Sequence, residues 1–196
     1  DALMSATSHA PTKAQKDNMI RLGLWLFIVS DSFVFGGLLV TRFVLLGDAR
    51  PELNQALGLL VTVVLLVSSF FMNRAEIQIK HGDVKAGTRS LGITLALGIL
   101  FLLGVVGVEW PLAASHGVTA SASQAGAVFY IMTGFHAFHV LTGVLFLGAI
   151  WNNARRGIYN AERHFAVESA AVYWHFIDVA WIFFYPALYL IGAVLH

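Results

Sequence analysis

Long apolar runs separated by short polar stretches dominate the chain. Five of these runs, residues 22–46, 57–72, 91–110, 124–150 and 167–195, stand out. A helix needs about 20 apolar residues to cross a hydrocarbon core of roughly 30 Å. The runs are continuously apolar, whereas the strands of a membrane barrel alternate over about 10 residues. The pattern therefore predicts an all-α, polytopic membrane protein, a bundle of five transmembrane helices.

A short polar segment precedes the first run. Residues 1–20 contain Pro11 and scattered lysines. They lack the charged start, apolar centre and small-residue cleavage site of a signal peptide. We expect a polar N-terminal tail over residues 1–20 and a five-helix transmembrane domain over residues 21–196.

The positive charges predict how the helices are oriented. Of the 12 Lys and Arg residues, only Arg42 and Arg50 fall in the first loop or beside it, and the others fall in the tail and in the second and fourth loops. Cytoplasmic segments carry an excess of Lys and Arg. We therefore expect the chain to lie in the cytoplasmic membrane, with the N-terminus in the cytoplasm and, after an odd number of spans, the C-terminus outside.

Composition excludes several classes of function. Only 12% of residues are charged and 58% are hydrophobic, and the chain has no cysteine. Soluble domains carry about 25% charged residues. The sequence therefore excludes disulfides and thiolate metal sites, and it offers no basic tract for nucleic acid.

Several ionisable residues lie inside the predicted spans or at their ends. Asp31 lies about 13 Å into its helix, and His175 and Asp178 lie about 12 and 16 Å into theirs, at ~1.5 Å per residue. A charge at this depth costs about 2.5–3.5 kcal/mol on insertion scales, so each group should face the protein interior and have a partner. The predicted buried polar network comprises Asp31, Glu109, His136, His139, Glu168, His175 and Asp178.

Spacing alone leaves three interpretations of these residues open. The His136/His139 and His175/Asp178 pairs are three residues apart, so each pair shares a helix face. Such pairs suit a metal or haem ligand set. They also suit a proton path. The third interpretation is a hydrogen-bonded network that fixes helix packing and anchors lipid or a partner subunit.

Three segments give the sequence a family resemblance. Residues 129–143, FYIMTGFHAFHVLTG, and residues 168–183, ESAAVYWHFIDVAWIF, resemble the last two spans of subunit III of haem-copper oxidases. Residues 25–35, WLFIVSDSFVF, are similar to an earlier acidic helix of that family, and Glu109 and the His81–Gly82–Asp83 loop also match its pattern. The resemblance covers nearly the whole chain after residue 20.

The resemblance implies a non-catalytic subunit of a proton-pumping terminal oxidase that reduces oxygen to water. Such a subunit holds no cofactor or metal; haem and copper belong to subunits I and II. It packs against subunit I, binds phospholipids and supports proton uptake. The resemblance favours the third interpretation. We expect anionic lipid head groups near Arg74, Lys80, His81 and Arg89.

Two departures from the family leave questions open. Mitochondrial-type members have seven helices, and we expect this chain to lack the first two, so that a small subunit IV could help enclose the lipid cleft. Asp31 stands where many members have Glu. Both features also occur in quinol oxidase relatives, so the electron donor is cytochrome c or quinol. From a different class, the midplane histidines allow a haem-binding membrane electron carrier.

Overall fold

The computed structural model of the chain describes residues 12–194, apart from the side chain of Lys13. Within this range the chain forms six α-helices, two π-helical segments and two short strands. In chain order they are α1 (Lys13–Leu46), β1 (Ala49–Arg50), α2 (Gln55–Lys80), α3 (Val84–Leu102), π1 (Leu103–Glu109), α4 (Trp110–Ser115), α5 (Gln124–Arg155), α6 (Phe165–Tyr185), π2 (Pro186–Leu190) and β2 (Ala193–Val194).

Five continuous helical stretches in the described residues are long and apolar enough to cross a membrane. They are Ala14–Leu46, Gln55–Lys80, Val84–Ser115, Gln124–Arg155 and Phe165–Leu190. The prediction of an all-α bundle with five spans is therefore confirmed. The orientation of the termini stays a prediction.

The helix ends differ from the apolar runs because polar residues extend the helices beyond the hydrocarbon. α1 begins at Lys13, where Thr12 and Gln15 form a reciprocal capping box, so part of the expected tail is helical. α2 runs to Lys80, eight residues past the predicted end. The third span continues through π1 and α4 to Ser115, into residues that the sequence suggested were loop. The last span ends at Leu190 instead of residue 195, because the chain becomes extended at Ile191. Its final turn, which begins at Pro186, is π-helical.

The core of the bundle lies between α2, α3, α5 and α6. α2 and α3 form a hairpin, α3 packs on α5, and α6 contacts both α2 and α5. Trp174 of α6 is fully buried at the centre of this core. A Cβ atom added at Gly98 of α3 would lie 2.6 Å from its ring, and one added at Gly143 of α5 would lie 2.9 Å from it. These two glycines therefore let three helices close around one indole.

α1 lies at the side of this core, against α6 and α5. Most of its apolar side chains are exposed to the surroundings of the bundle, including Phe33 and Val44. The chain just after its C-terminal end forms a short parallel strand pair, in which Ala49 pairs with Ala193 and Arg50 with Val194. The first helix and the last residues of the described chain are therefore joined at one end.

Candidate functional site

Asp31 and His139 form a buried pair that joins α1 to α5. His139 Nε2 lies 3.0 Å from Asp31 Oδ2, and the two side chains are only 8% and 12% exposed. The other ring nitrogen, Nδ1, lies 2.8 Å from the Phe135 carbonyl oxygen, which can only accept, so Nδ1 carries a proton. The approach of Nε2 to Oδ2 is within ion-pair distance, although Asp31 Oδ2 has no partner with hydrogen-bond geometry. Asp31 and His139 therefore bring a carboxyl group and an imidazole ring together between α1 and α5.

His136 points away from this pair into a box of aromatic rings. Its centroid lies 4.7 Å from that of Trp181 and 5.6 Å from that of Phe101. The ring is fully buried, and neither nitrogen has a hydrogen-bond partner. Although His136 and His139 are one turn apart, their polar surroundings differ. His139 lies 3.0 Å from the Asp31 carboxyl group, whereas His136 has no polar partner.

His175 and Asp178 lie on the side of α6 that faces α2. The Ser69 hydroxyl lies 2.7 Å from His175 Nδ1. Asp178 is 3% exposed. Ser69 is also beside the Asp178 carboxyl group, but neither carboxylate oxygen has a partner with hydrogen-bond distance and angle. Asp178 is thus the most isolated of the predicted acidic residues.

The other two predicted acidic residues lie towards the two ends of the bundle. Glu168 accepts a hydrogen bond of 3.0 Å from Arg21 of α1, in a contact open to solvent, with side chains 34% and 50% exposed. Glu109, at the end of π1, is buried and accepts a hydrogen bond from the Tyr189 hydroxyl of π2. The seven predicted residues therefore form separate local contacts at several depths.

Arg42 is a buried functional group that the sequence analysis treated only as an outer-side charge. Its guanidinium is fully buried and donates to four carbonyl oxygens. Nε bonds Ala187 at 2.6 Å, and the terminal nitrogens bond Gly47 at 2.7 Å, Ala49 at 2.9 Å and Ile191 at 2.7 Å. A signal was available, because Arg42 lies four residues inside the predicted end of the first span, where a charge requires partners.

The four residues expected near lipid head groups lie around the α2–α3 turn. Arg74, Lys80, His81 and Arg89 are all exposed, and His81 Nδ1 lies 2.8 Å from the Ile77 carbonyl oxygen. They do not line the apolar cavity at α1, α5 and α6.

That cavity lies between α1, α5 and α6 and measures about 520 Å³. Its walls are almost entirely apolar, with Leu24 and Phe27 from α1, Phe138 and Phe146 from α5, and Tyr173 from α6. A smaller cavity of about 200 Å³ shares Leu24 and Ser169 with it and extends to Arg21 and Glu168. The two cavities thus share part of their lining, and the smaller one reaches the charged contact between Arg21 and Glu168.

The described residues do not resemble a metal centre. Within residues 12–194, no three His, Asp or Glu side chains come together in a way that could hold a metal ion. His139 Nδ1 lies 2.8 Å from the Phe135 carbonyl oxygen, and Nε2 lies 3.0 Å from Asp31 Oδ2.

Comparison with known proteins identifies the family. A family model described as "Cytochrome c oxidase subunit III" matches residues 1–193. The cytochrome c oxidase subunit 3 of Thermostichus vulcanus is 38% identical over 177 residues, 87% of this chain and 86% of the relative. That of Synechocystis is 36% identical over 86% of this chain and 74% of the relative. A probable subunit 3 from Nocardia farcinica is 30% identical over 95% of both chains. These matches confirm the resemblance noted in the sequence, and the chain belongs to the cytochrome c oxidase subunit III family.

Proposed function

We propose that this chain is a non-catalytic subunit of a bacterial cytochrome c oxidase, in which it stabilises subunit I, binds phospholipid and supports proton uptake. The observation that carries the proposal is the match over residues 1–193 to a subunit of an oxidase. The haem and copper of such a complex would belong to subunits I and II, and oxygen would be reduced there. This chain would act through its packing and its polar contacts.

The apolar cavity supports the phospholipid part of the proposal. A volume of about 520 Å³ falls within the 300–1,000 Å³ of ordinary ligand sites, and its apolar walls suit an acyl chain. The smaller cavity that shares Leu24 and Ser169 with it is lined by Arg21. A neighbouring polar cavity of about 410 Å³ adds Arg163 and His164. These cations suit a phosphate head group, so we place the head group here as well as at the exposed basic residues of the α2–α3 turn.

The stabilising role is supported by how α1 is attached. Three polar contacts hold this helix: Arg21 to Glu168, Asp31 to His139, and the Arg42 carbonyl contacts. They lie near one end, the middle and the other end of α1, and the cavity lies beside the first two. A lipid in the cavity would complete the packing of α1 and present a continuous surface to subunit I.

Proton uptake is supported by ionisable groups at the end of the bundle that is rich in Lys and Arg. Glu76 of α2 has Glu168, Lys80 and His164 as its charged neighbours. Such a cluster can collect protons from water near the mouth of a proton channel in subunit I.

Deletion and complementation test this function. We expect an oxidase without this subunit to lose activity faster during turnover, and the unchanged chain to restore its lifetime. The Leu24→Trp side chain fills the cavity. This variant should restore the lifetime of the oxidase less fully than the unchanged chain does, and less phospholipid should remain in the purified complex. Leu26→Trp is the matched control, because Leu26 is 62% exposed on the outside of the same helix.

Two results would contradict the proposal. If the oxidase without the subunit is as active and as long-lived as the complete complex, the supporting role is wrong. If Leu24→Trp and Leu26→Trp retain the same phospholipid, the cavity is not the lipid site.

A further inference from the structure

Polar side chains recur at seven-residue intervals where α2 meets α6. On α2 these are Thr62, Ser69 and Glu76, and on α6 they include Glu168 and His175. Ser69 contacts His175, Glu76 neighbours Glu168, and the Thr62 hydroxyl accepts a 2.9 Å hydrogen bond from Trp181. Seven residues are two helical turns, about 10.5 Å. The contact between the two helices therefore carries a line of polar groups from the Lys- and Arg-rich end to the middle of the bundle.

Asp178 stands at the inner end of this line. It lies one helical turn beyond His175, is 3% exposed, and has no hydrogen-bond partner for either carboxylate oxygen. A carboxylate ion without hydrogen bonds in such surroundings is costly, so the neutral acid is the stable form. Asp178 therefore holds a proton that it can exchange only through a neighbouring polar group.

Ser69 and His175 provide that neighbour. Ser69 lies beside the Asp178 carboxyl group and is 2.7 Å from His175 Nδ1. Both Ser69 and His175 are partly exposed, whereas Asp178 is buried. The hydroxyl and the imidazole therefore lie between the buried acid and the edge of the bundle.

We propose that Asp178, Ser69 and His175 form a proton-exchange site. The Asp178 carboxyl group gives its proton to the Ser69 oxygen while the Ser69 hydroxyl proton moves to His175 Nδ1. This leaves an aspartate anion and an imidazolium cation. The imidazolium then passes the proton on Nε2 to a water molecule at the partly exposed side of His175, and the reverse sequence, which starts with a proton from water on Nε2, reloads Asp178.

The other ionisable groups on the helices around α6 have other partners or lie at its ends. Asp31 of α1 is paired with His139 of α5, and Arg21 of α1 with Glu168. Tyr189 of π2 is bonded to Glu109. His136 of α5 is enclosed by aromatic rings, and Glu76 of α2 lies with Lys80 and His164 at the end of the line. His175 is thus the ionisable side chain one turn from Asp178.

Infrared spectroscopy of the complete oxidase tests the site, because a protonated carboxyl group has a carbonyl stretch that shifts in heavy water. We expect Asp178→Asn to remove one such band and Asp178→Glu to shift it. His175→Phe and Ser69→Ala should keep the band but slow its deuterium shift on the order of 100-fold, the scale on which a positioned proton carrier acts.

The controls separate this site from other carboxyl groups and from general structural effects. Glu109→Gln should remove a different band, and Ser32→Ala, which removes an exposed hydroxyl bonded to its own helix, should leave the exchange rate unchanged. The proposal is wrong if the Asp178 variants leave every carboxyl band in place. It is also wrong if His175→Phe exchanges as fast as the unchanged oxidase. Neither result depends on whether the subunit prolongs turnover.

Discussion

At the scale of single residues, buried polar side chains in this bundle have two kinds of partner. Some meet another side chain, as Asp31 meets His139. Others meet backbone carbonyl groups, as Arg42 does near the C-terminal end of α1. The carbonyls that Arg42 binds come from the end of α1, from β1 and from the chain around π2. The last carbonyl groups of a helix have no partner within the helix. One guanidinium therefore caps several chain ends at once.

Replacing Arg42 with Lys should destabilise the protein strongly. An ammonium group cannot reach four carbonyl oxygens that match the planar guanidinium fork, and hydrogen bonds to a charged group are worth about 1.5–3 kcal/mol each. We expect the free energy of unfolding in detergent to fall by about 3 kcal/mol or more. Arg50→Lys is the matched control, because Arg50 makes one exposed contact of 3.1 Å with Gly192. Equal stability of the two variants would contradict this account of Arg42.

At the scale of elements, the packing of three helices on Trp174 depends on two missing side chains. Gly98 and Gly143 lie on different helices and contact adjacent atoms of the six-membered ring of the same indole. The Trp174 Nε1 atom donates a 3.0 Å hydrogen bond to the Ser68 hydroxyl, which fixes the orientation of the ring. The indole therefore cannot easily turn away from an added methyl group.

Gly98→Ala should consequently destabilise the bundle. Its Cβ would lie 2.6 Å from the Trp174 ring, and overpacking of a filled core costs about 1–3 kcal/mol. We expect a lower unfolding temperature for the purified oxidase and less of this subunit in it. Gly148→Ala is the control, because a Cβ there meets no atom within 4 Å. If Gly148→Ala lowers the unfolding temperature as much as Gly98→Ala, the cause is not the contact with Trp174.

The sequence predicts the membrane-spanning helices correctly, because a long apolar run is enough to identify each of them. Five spans follow from apolar length alone, and the structure has all five. Hydropathy does not mark where helices end, because residues 13–20 and 73–80 are helical although they lie outside the apolar runs. It also cannot indicate the π-helical register of residues 103–109.

The depth of an ionisable residue was also predictable, but its partner was not. Depth follows from rise per residue, whereas a partner depends on which helices are neighbours and how each is rotated. His136 and His139 illustrate this limit, because one turn of separation suggests a common face and yet only His139 reaches Asp31. Tyr189, Ser69 and Phe135, which complete three of the contacts, carry no charge that would distinguish them in the sequence.

At the scale of the whole molecule, the asymmetry of charge predicts a single orientation. The absence of cysteine from the sequence makes this easy to test, because any introduced thiol is unique. We expect Arg89→Cys in intact cells to be protected from a membrane-impermeant maleimide, and Ser115→Cys to be labelled. Both positions are exposed in the structure, and opening the cells should make Arg89→Cys reactive. The opposite labelling pattern would reverse the orientation.

The carbonyl contacts of Arg42 also constrain biosynthesis. Two of its partners, Ala187 and Ile191, are 145 and 149 residues further along the chain. While the ribosome is still producing the intervening helices, the guanidinium has only its local partners and stays incompletely satisfied. α1 thus reaches its final state only when π2 and the residues that follow it have been delivered. Nascent chains that stop before Pro186 should accordingly be recognised by membrane proteases as unfinished.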